Sequence, residues 1–182
     1  DADGRFRGYR GVGRDITERK RTDQLLALEH SVTRRFAEMP DSGQALKGAI
    51  QAICESEQWE CGRYLWVDTA AGLLRFGEAW SVPDASIERY FDEWRAIAYA
   101  PGEGLAGKVW QAQRPLWAPD VTNDPRVARP GVAQATGMRA ALVVPVIAES
   151  RTIGVLNFNS RQVREPDERL LHTIRVIGAQ IG

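Results

Sequence analysis

Between residues 16 and 39 apolar side chains recur at Leu25, Leu28, Val32, Phe36 and Met39, three or four positions apart in an otherwise polar stretch. That spacing places them on one narrow stripe of a helix. Such a stripe either seats a partner helix, as in a parallel coiled-coil dimer, or packs the helix onto its own domain. Asp15 and Glu18 have capping-box spacing at its start. Pro40, Asp41 and Ser42 end it and open a second helix, whose Leu46, Ile50, Ile53 and Cys54 share a face. The period then changes. Strands are predicted over 61–67 and 73–80, joined by a turn at 68–72. In the first, both alternating sets are apolar or aromatic (Leu65 and Val67; Tyr64 and Trp66), which marks a strand covered on both faces. Pro83 and Asp84 open a strongly amphipathic helix with Ile87, Tyr90, Phe91, Trp94 and Ile97 on one stripe.

A glycine-rich turn follows, then a short helix over 104–112, a small strand at 116–118, and a loop over 119–136 in which 131–137 can hold a helical turn or two. The stretch GMRAALVVPVIAESRTIGVLNFNS, residues 137–160, reads as a buried hairpin, with strands at 139–147 and 152–159. Its Pro145 is tolerable if the missing N–H points outward or sits at a bulge. A last helix has Pro166 at an N1-like position, Asp167 and Glu168 in its first turn, and a stripe of Leu170, Ile174, Ile177 and Ile181. Consecutive strands lie in hairpin-like pairs, so the fold class is α+β, a largely antiparallel sheet with helices packed on it.

The bulk numbers narrow the function. A chain of 182 residues with 43% hydrophobic side chains builds a real core. Its 24 basic and 24 acidic side chains balance, which gives no support for nucleic-acid binding. No apolar run approaches a membrane span, and no signal peptide is expected. Cys54 and Cys61 fit neither a zinc pair nor a redox CxxC and read as reduced, buried thiols of a cytoplasmic protein. The chain opens at Asp1 in mid-pattern, which implies a piece of a longer protein that can be membrane-anchored elsewhere.

Residues 1–20, DADGRFRGYRGVGRDITERK, resemble the closing strand of a PAS sensory domain with its D-I-T exit motif and signalling helix. PGEGLAGKVW, PLWAPDV, GMRAALVVPV and TIGVLNFNS, followed by PDERLL, resemble in that order the marks of a GAF domain. The resemblance implies a PAS remnant at 1–15, a signalling helix at 16–40 and a GAF domain at 41–182. It implies a GAF-like central antiparallel sheet of five or six strands with helices on both faces, one face being roofed over a small-ligand site. It further implies a sensory half of a bacterial histidine kinase or of an enzyme of cyclic diguanylate signalling. The expected partners are an unidentified small molecule, a second copy through the terminal helices (Leu25, Leu28, Val32 and Phe36), and covalently linked PAS and output domains.

Catalytic chemistry finds little footing. His30 and His172 lie on separate predicted helices with no nucleophile placed beside them. PGEGLAG lacks the spacing of a P-loop and reads as a tight turn. VARPGVAQATG, before the late hairpin, has no cysteine, so no covalent bilin is expected, and no metal cluster is evident. The cofactor is unknown. Asn157 and Asn159 with Asp167-Glu168 only loosely match the nucleotide-binding pattern of some GAF domains. The six tryptophans, all between 59 and 117, build either a core or an aromatic-walled cavity. For a cavity, the candidate ligand-binding residues are Trp66, Trp80, Trp94, Tyr99, Glu103, Trp117, Asp120, Arg139 and Asn157, with Arg126 and Arg129 nearby. Arg139 can clamp an anion or bond Asp120. Three readings therefore stand: a ligand-sensing module, a ligand-free scaffold for dimerisation, and, more remotely, a methionine sulfoxide-type reductase using Cys54 or Cys61.

Overall fold

Three aspartates start three helices. Asp41 accepts from the Gly43 N–H at 2.9 Å, Asp84 from Ser86 N–H at 2.8 Å, and Asp167 from Arg169 N–H at 2.9 Å. Each satisfies donors that a helix leaves open at its first turn. The computed structural model describes residues 17–39 and 41–181. The proposed cap at Asp15, the strand-like run before it, Pro40 and the side chain of Tyr90 lie outside the described residues. In chain order the elements are α1 (Thr17–Glu38), α2 (Ser42–Glu57), β1 (Cys61–Asp68), β2 (Leu73–Ser81), α3 (Ala85–Arg95), α4 (Gly104–Ala112), β3 (Leu116–Ala118), α5 (Pro130–Thr136), β4 (Ala140–Ala148), β5 (Arg151–Ser160) and α6 (Glu168–Ile181). The order is the one the periodicity predicts. One boundary moves: Asp167 is the cap of α6 rather than part of its first turn, so Pro166 precedes the helix.

The strands form one antiparallel sheet in the order β2-β1-β5-β4-β3. This is the α+β fold the sequence implies. Pro145 pairs with Val155 on β5, while β3 covers β4 only as far as Val143. At Pro145 one side of β4 therefore has no strand beside it, so the missing donor costs no ladder bond there.

Side-chain alternation divides the core in two. Leu142, Val144, Leu156 and Phe158 face a helix layer of α1, α2 and α6. Leu65, Leu74, Val143 and Val155 face a roof built from α3, α4, α5 and the loops between them. Of the two roles open to the α1 stripe, the structure shows the intramolecular one: Leu25, Leu28 and Val32 are buried in the helix-side core, with Phe36 packed against it. A coiled-coil seam through those side chains is thereby corrected, because their apolar surface is already taken by this chain's own domain.

Arg21 reinforces that docking. Its Nη1 and Nη2 donate to the Glu57 carboxylate at 2.9 and 2.6 Å, and Nη2 also donates to Asp167 Oδ2 at 2.7 Å. One guanidinium thus joins α1, the end of α2 and the cap of α6.

Candidate functional site

Three adjacent strands of the sheet carry polar or small side chains toward the roof. Arg63 on β1 pairs in register with Asn157 on β5, and Asn159 follows on the same face. Ala141 on β4 pairs with Asn159. Arg63 is 3% exposed and Asn157 is 4% exposed. Polar groups so deep in a sheet need partners or a purpose.

The roof supplies aromatic cover. Trp94 of α3 and Tyr99 stack with ring centroids 5.6 Å apart at 24°. The Arg63 guanidinium lies over the Trp94 ring, 4.1 Å from its centroid. Tyr99 is fixed by its backbone: it exchanges both hydrogen bonds with Leu74 of β2, at 2.8 and 3.0 Å. Burial pushes the Tyr99 phenol up to about 12 against the opposing pull of Arg63 and Arg129, so it stays protonated at neutral pH.

The glycine-rich turn lets α4 close the side. A side-chain carbon on Gly107 would lie 2.2 Å from the Ala100 carbonyl oxygen, so only glycine permits that approach, and Gly104 has a left-handed φ of 58°. This is the tight-turn role expected for PGEGLAG. Arg161 pins the far end, donating to Asp84 at 2.7 Å, to Ser86 Oγ at 2.6 Å and to the Thr136 carbonyl at 3.1 Å. It ties the end of β5 to the start of α3 and the end of α5.

Between sheet and roof remains a cavity of about 40 Å3, lined by Arg63, Trp94, Tyr99, Ala106, Arg129, Ala133, Ala141, Asn157 and Asn159 among others. That is room for about three water-sized groups. Asn157 Oδ1, buried at its wall, has no hydrogen-bond partner.

Of the residues expected from the sequence, Trp94, Tyr99, Asn157 and Arg129 meet at this cavity. Glu103 stands in the adjoining turn, where it is exposed and accepts from the Ala100 N–H at 3.0 Å. Asp120 and Arg139 pair with each other, the second of the two roles open to Arg139, and Arg126 pairs with Asp124. Trp66, Trp80 and Trp117 belong to the opposite face, which corrects their assignment. Trp66 is exposed beside Tyr64, while Trp80 and Trp117 pack against the helix-side core. Trp117 meets Trp59 edge-on at 5.7 Å and donates Nε1–H to the Arg164 carbonyl at 2.7 Å. Arg63 escaped the sequence reading; its signal was a charge in the same alternation set as Leu65.

Neither cysteine lines the cavity: Cys54 belongs to the helix-side core and Cys61 to the roof side. Burial raises both thiols, Cys61 to about 12 despite the nearby Arg63, so neither is an appreciable thiolate at neutral pH. His30 and His172 are exposed on α1 and α6. Among the described residues no cluster of three or more His, Cys, Asp or Glu could hold a metal, and no helix is long and apolar enough to cross a membrane.

Residues 41–182 match the family model described as GAF domain. Among solved structures, the GAF domain of a phosphoenolpyruvate-protein phosphotransferase from Coxiella burnetii is similar with a TM-score of 0.75 at 18% identity, over 87% of this chain and 90% of that one. The free methionine-R-sulfoxide reductase of Neisseria meningitidis, solved in complex with its substrate, is similar with a TM-score of 0.68 at 19% identity, over 97% of this chain and 93% of that one. The corresponding GAF domain from Acinetobacter has a TM-score of 0.69 at 14% identity, over 89% of this chain and 90% of that one. At these identities the likeness is one of fold. No curated protein matches.

Proposed function

This chain belongs to the GAF family, and from that premise we propose that it is a sensory module that takes a small ligand under its roof and passes the occupied state to its terminal helices. One observation carries the reading: Asn157 lines a cavity, and its buried amide oxygen has no hydrogen-bond partner. An orphaned acceptor costs about 1–3 kcal/mol, which a ligand donor can recover.

The route to the helices is short. Asn157 and Asn159 flank Phe158, which points through the sheet and meets Trp59 with ring centroids 6.4 Å apart. Arg164 lies over Trp59 at 4.7 Å and donates to the Glu57 carbonyl at 2.8 Å. The Glu57 carboxylate holds Arg21 of α1, which in turn holds Asp167 at the start of α6. A ligand that shifts β5 would act on both helices through these packed groups, by the difference in its affinity for the two arrangements. In this proposal the covalent neighbours are a PAS domain before α1, which residues 1–15 resemble, and an output domain of a histidine kinase or cyclic diguanylate enzyme. We place the homodimer contact on the outer side of the terminal helices, where Leu26 is 50% exposed in a groove shared with His172 of α6.

Amide hydrogen exchange tests the relay. Freshly purified protein is compared with Ala133→Leu, which fills the cavity from α5. The proposal expects changed protection in 17–26 and 167–174; exchange altered only around 94–141 would contradict it.

The second reading is a ligand-free scaffold, and the small cavity volume favours it. The reductase reading draws no support from Cys54 or Cys61, which stand off the cavity and are held as thiols.

A further inference from the structure

The helix layer does not cover its side of the sheet completely. Where the last turns of α1 and α6 come near the start of α2, a pocket of about 410 Å3 lies over β1 and β2. Three of the side chains that line it are aromatic: Phe36 from α1, and Tyr64 and Trp66 from β1. Trp66 is 41% exposed, and Phe36 and Tyr64 are half-buried. Among the described residues, cation–aromatic contacts engage Trp94, Phe76 and Trp59, and none engages these three rings.

Two glycines make room for the rings. A side-chain carbon on Gly154 of β5 would lie 2.2 Å from the Tyr64 hydroxyl oxygen and 2.3 Å from its ring, so Tyr64 can cross β5 only over a glycine. A carbon on Gly77 would lie 3.4 Å from both the Tyr64 and the Trp66 rings.

The bulge in β2 sets a carboxylate beside them. Gly77 and Glu78 both stand opposite Tyr64, and a bulge re-aims the side chain it carries. Glu78 lines the pocket, with Oε1 3.3 Å from where a Cβ on Gly43 would stand, and Asp41 Oδ1 lies 3.3 Å from the same point. Among the described residues no ion pair or hydrogen bond engages Glu78, and no basic side chain lines the pocket. Arg75, in register opposite Trp66, is taken by Asp68 at 2.7 Å. Rings beside an unneutralised carboxylate favour a cation.

The lining also selects the kind of cation. A primary ammonium has three donors to satisfy. The side chains here offer the Glu78 carboxylate and the hydroxyls of Ser42 and Tyr64, of which the Tyr64 hydroxyl donates to the Ile153 carbonyl at 3.4 Å. A fully methylated nitrogen needs no acceptor, and its methyl groups suit Leu46, Ile181 and the rings.

We propose that this pocket binds a quaternary ammonium cation of the choline type, its methylated nitrogen against Phe36, Tyr64 and Trp66 and its charge balanced by Glu78. The site lies across the sheet from the roof cavity and does not depend on a ligand there. Because Phe36 and Ile181 sit on the last turns of α1 and α6, the cation would touch both terminal helices directly.

Titration calorimetry tests it. Choline is expected to bind about tenfold or more tightly than neohexanol, its uncharged tert-butyl isostere, and than ethanolamine, which keeps the charge without the methyl groups. Glycine betaine should bind more weakly than choline, because its carboxylate meets Glu78, and Glu78→Gln should narrow that difference. Trp66→Leu, at an exposed position, should weaken choline about tenfold without unfolding the domain. Ala133→Leu, which fills the roof cavity, should leave choline binding unchanged. No saturable binding of choline, binding no tighter than that of neohexanol, or binding unchanged in both Trp66→Leu and Glu78→Gln overturns the proposal and leaves the sensory reading of the roof cavity untouched. Loss of choline binding in a folded Ala133→Leu protein would move the cation to the roof side and overturn it as well.

Discussion

Arg63 of β1 lies face-on to Trp94 of α3, its guanidinium 4.1 Å from the ring centroid, and so joins the sheet to the roof across the cavity. A desolvated cation–aromatic contact of this kind contributes about 2 kcal/mol. Arg63→Met should therefore lower the unfolding free energy by about 2 kcal/mol in urea titrations. Arg63→Lys should recover only part of that, since an ammonium cannot stack as a plane. Equal stability of all three proteins would show that the contact contributes nothing.

Arg21 is the corresponding junction on the helix side. Its partner Glu57 is 7% exposed, whereas Arg21 itself keeps some contact with solvent. Arg21→Gln leaves a buried carboxylate without its cation, and after discount for screening at the exposed end the expected loss is about 1–3 kcal/mol. Arg21→Gln with Glu57→Gln should lose less than the sum of the single changes. Strict additivity in that double-mutant cycle would contradict a coupled pair.

The two leucines of α1 separate folding from association. Leu28 is 4% exposed in the helix-side core, so Leu28→Glu should destabilise the domain by about 3 kcal/mol or more, whatever its oligomeric state. Leu26→Glu should leave the melting temperature nearly unchanged and weaken the dimer in sedimentation. An unaltered sedimentation profile for a folded Leu26→Glu protein would place the dimer contact elsewhere or remove it.

Acid should destabilise the fold through its paired aspartates. The hydrogen bond from Arg161, aided by Ser86, holds the Asp84 carboxyl below its usual range. Arg139 with Thr122 does the same for Asp120. At Asp167 burial pulls upward, but the hydrogen bonds from Arg21 and the α6 N–H groups outweigh it, and the net shift is down. A carboxyl with a depressed folded-state value contributes stability above its unfolded value, about 3.9, and loses it as pH falls through the folded one. Urea midpoints should thus hold between pH 7 and about 5 and decline below about 4. Asp84→Asn should be less stable at neutral pH and show a shallower acid decline; an unchanged profile would show that the Arg161 contact does not stabilise the fold.

The elements were legible because each carries its own period or cap. Asp41, Asp84 and the β4–β5 alternation need no knowledge of the rest of the chain. Facing was less legible, since it depends on register. Opposite Tyr64, β2 inserts Gly77 and Glu78 between the pairs Arg63–Ala79 and Leu65–Phe76. That bulge reverses the alternation, so Trp80 turns to the helix side although Leu74 and Phe76 face the roof. Trp117 sits in a three-residue strand, too short to declare its inward face. Asn157 was legible because a lone amide in an apolar run has one face to serve. Arg63 was not, because a charge near a strand's start looks solvated until the partner strand covers it. The α1 stripe reads the same whether its partner is another chain or α2 and α6, and only the packing separates the two.

The account turns on whether the space beneath the roof holds a ligand. Native and denatured masses of freshly purified wild-type protein and of Ala133→Leu measure this directly. A reproducible added mass on the native wild type, absent from the folded variant and lost on denaturation, is the predicted result. A clean apo mass in every preparation, or an adduct retained when the cavity is filled, would contradict it.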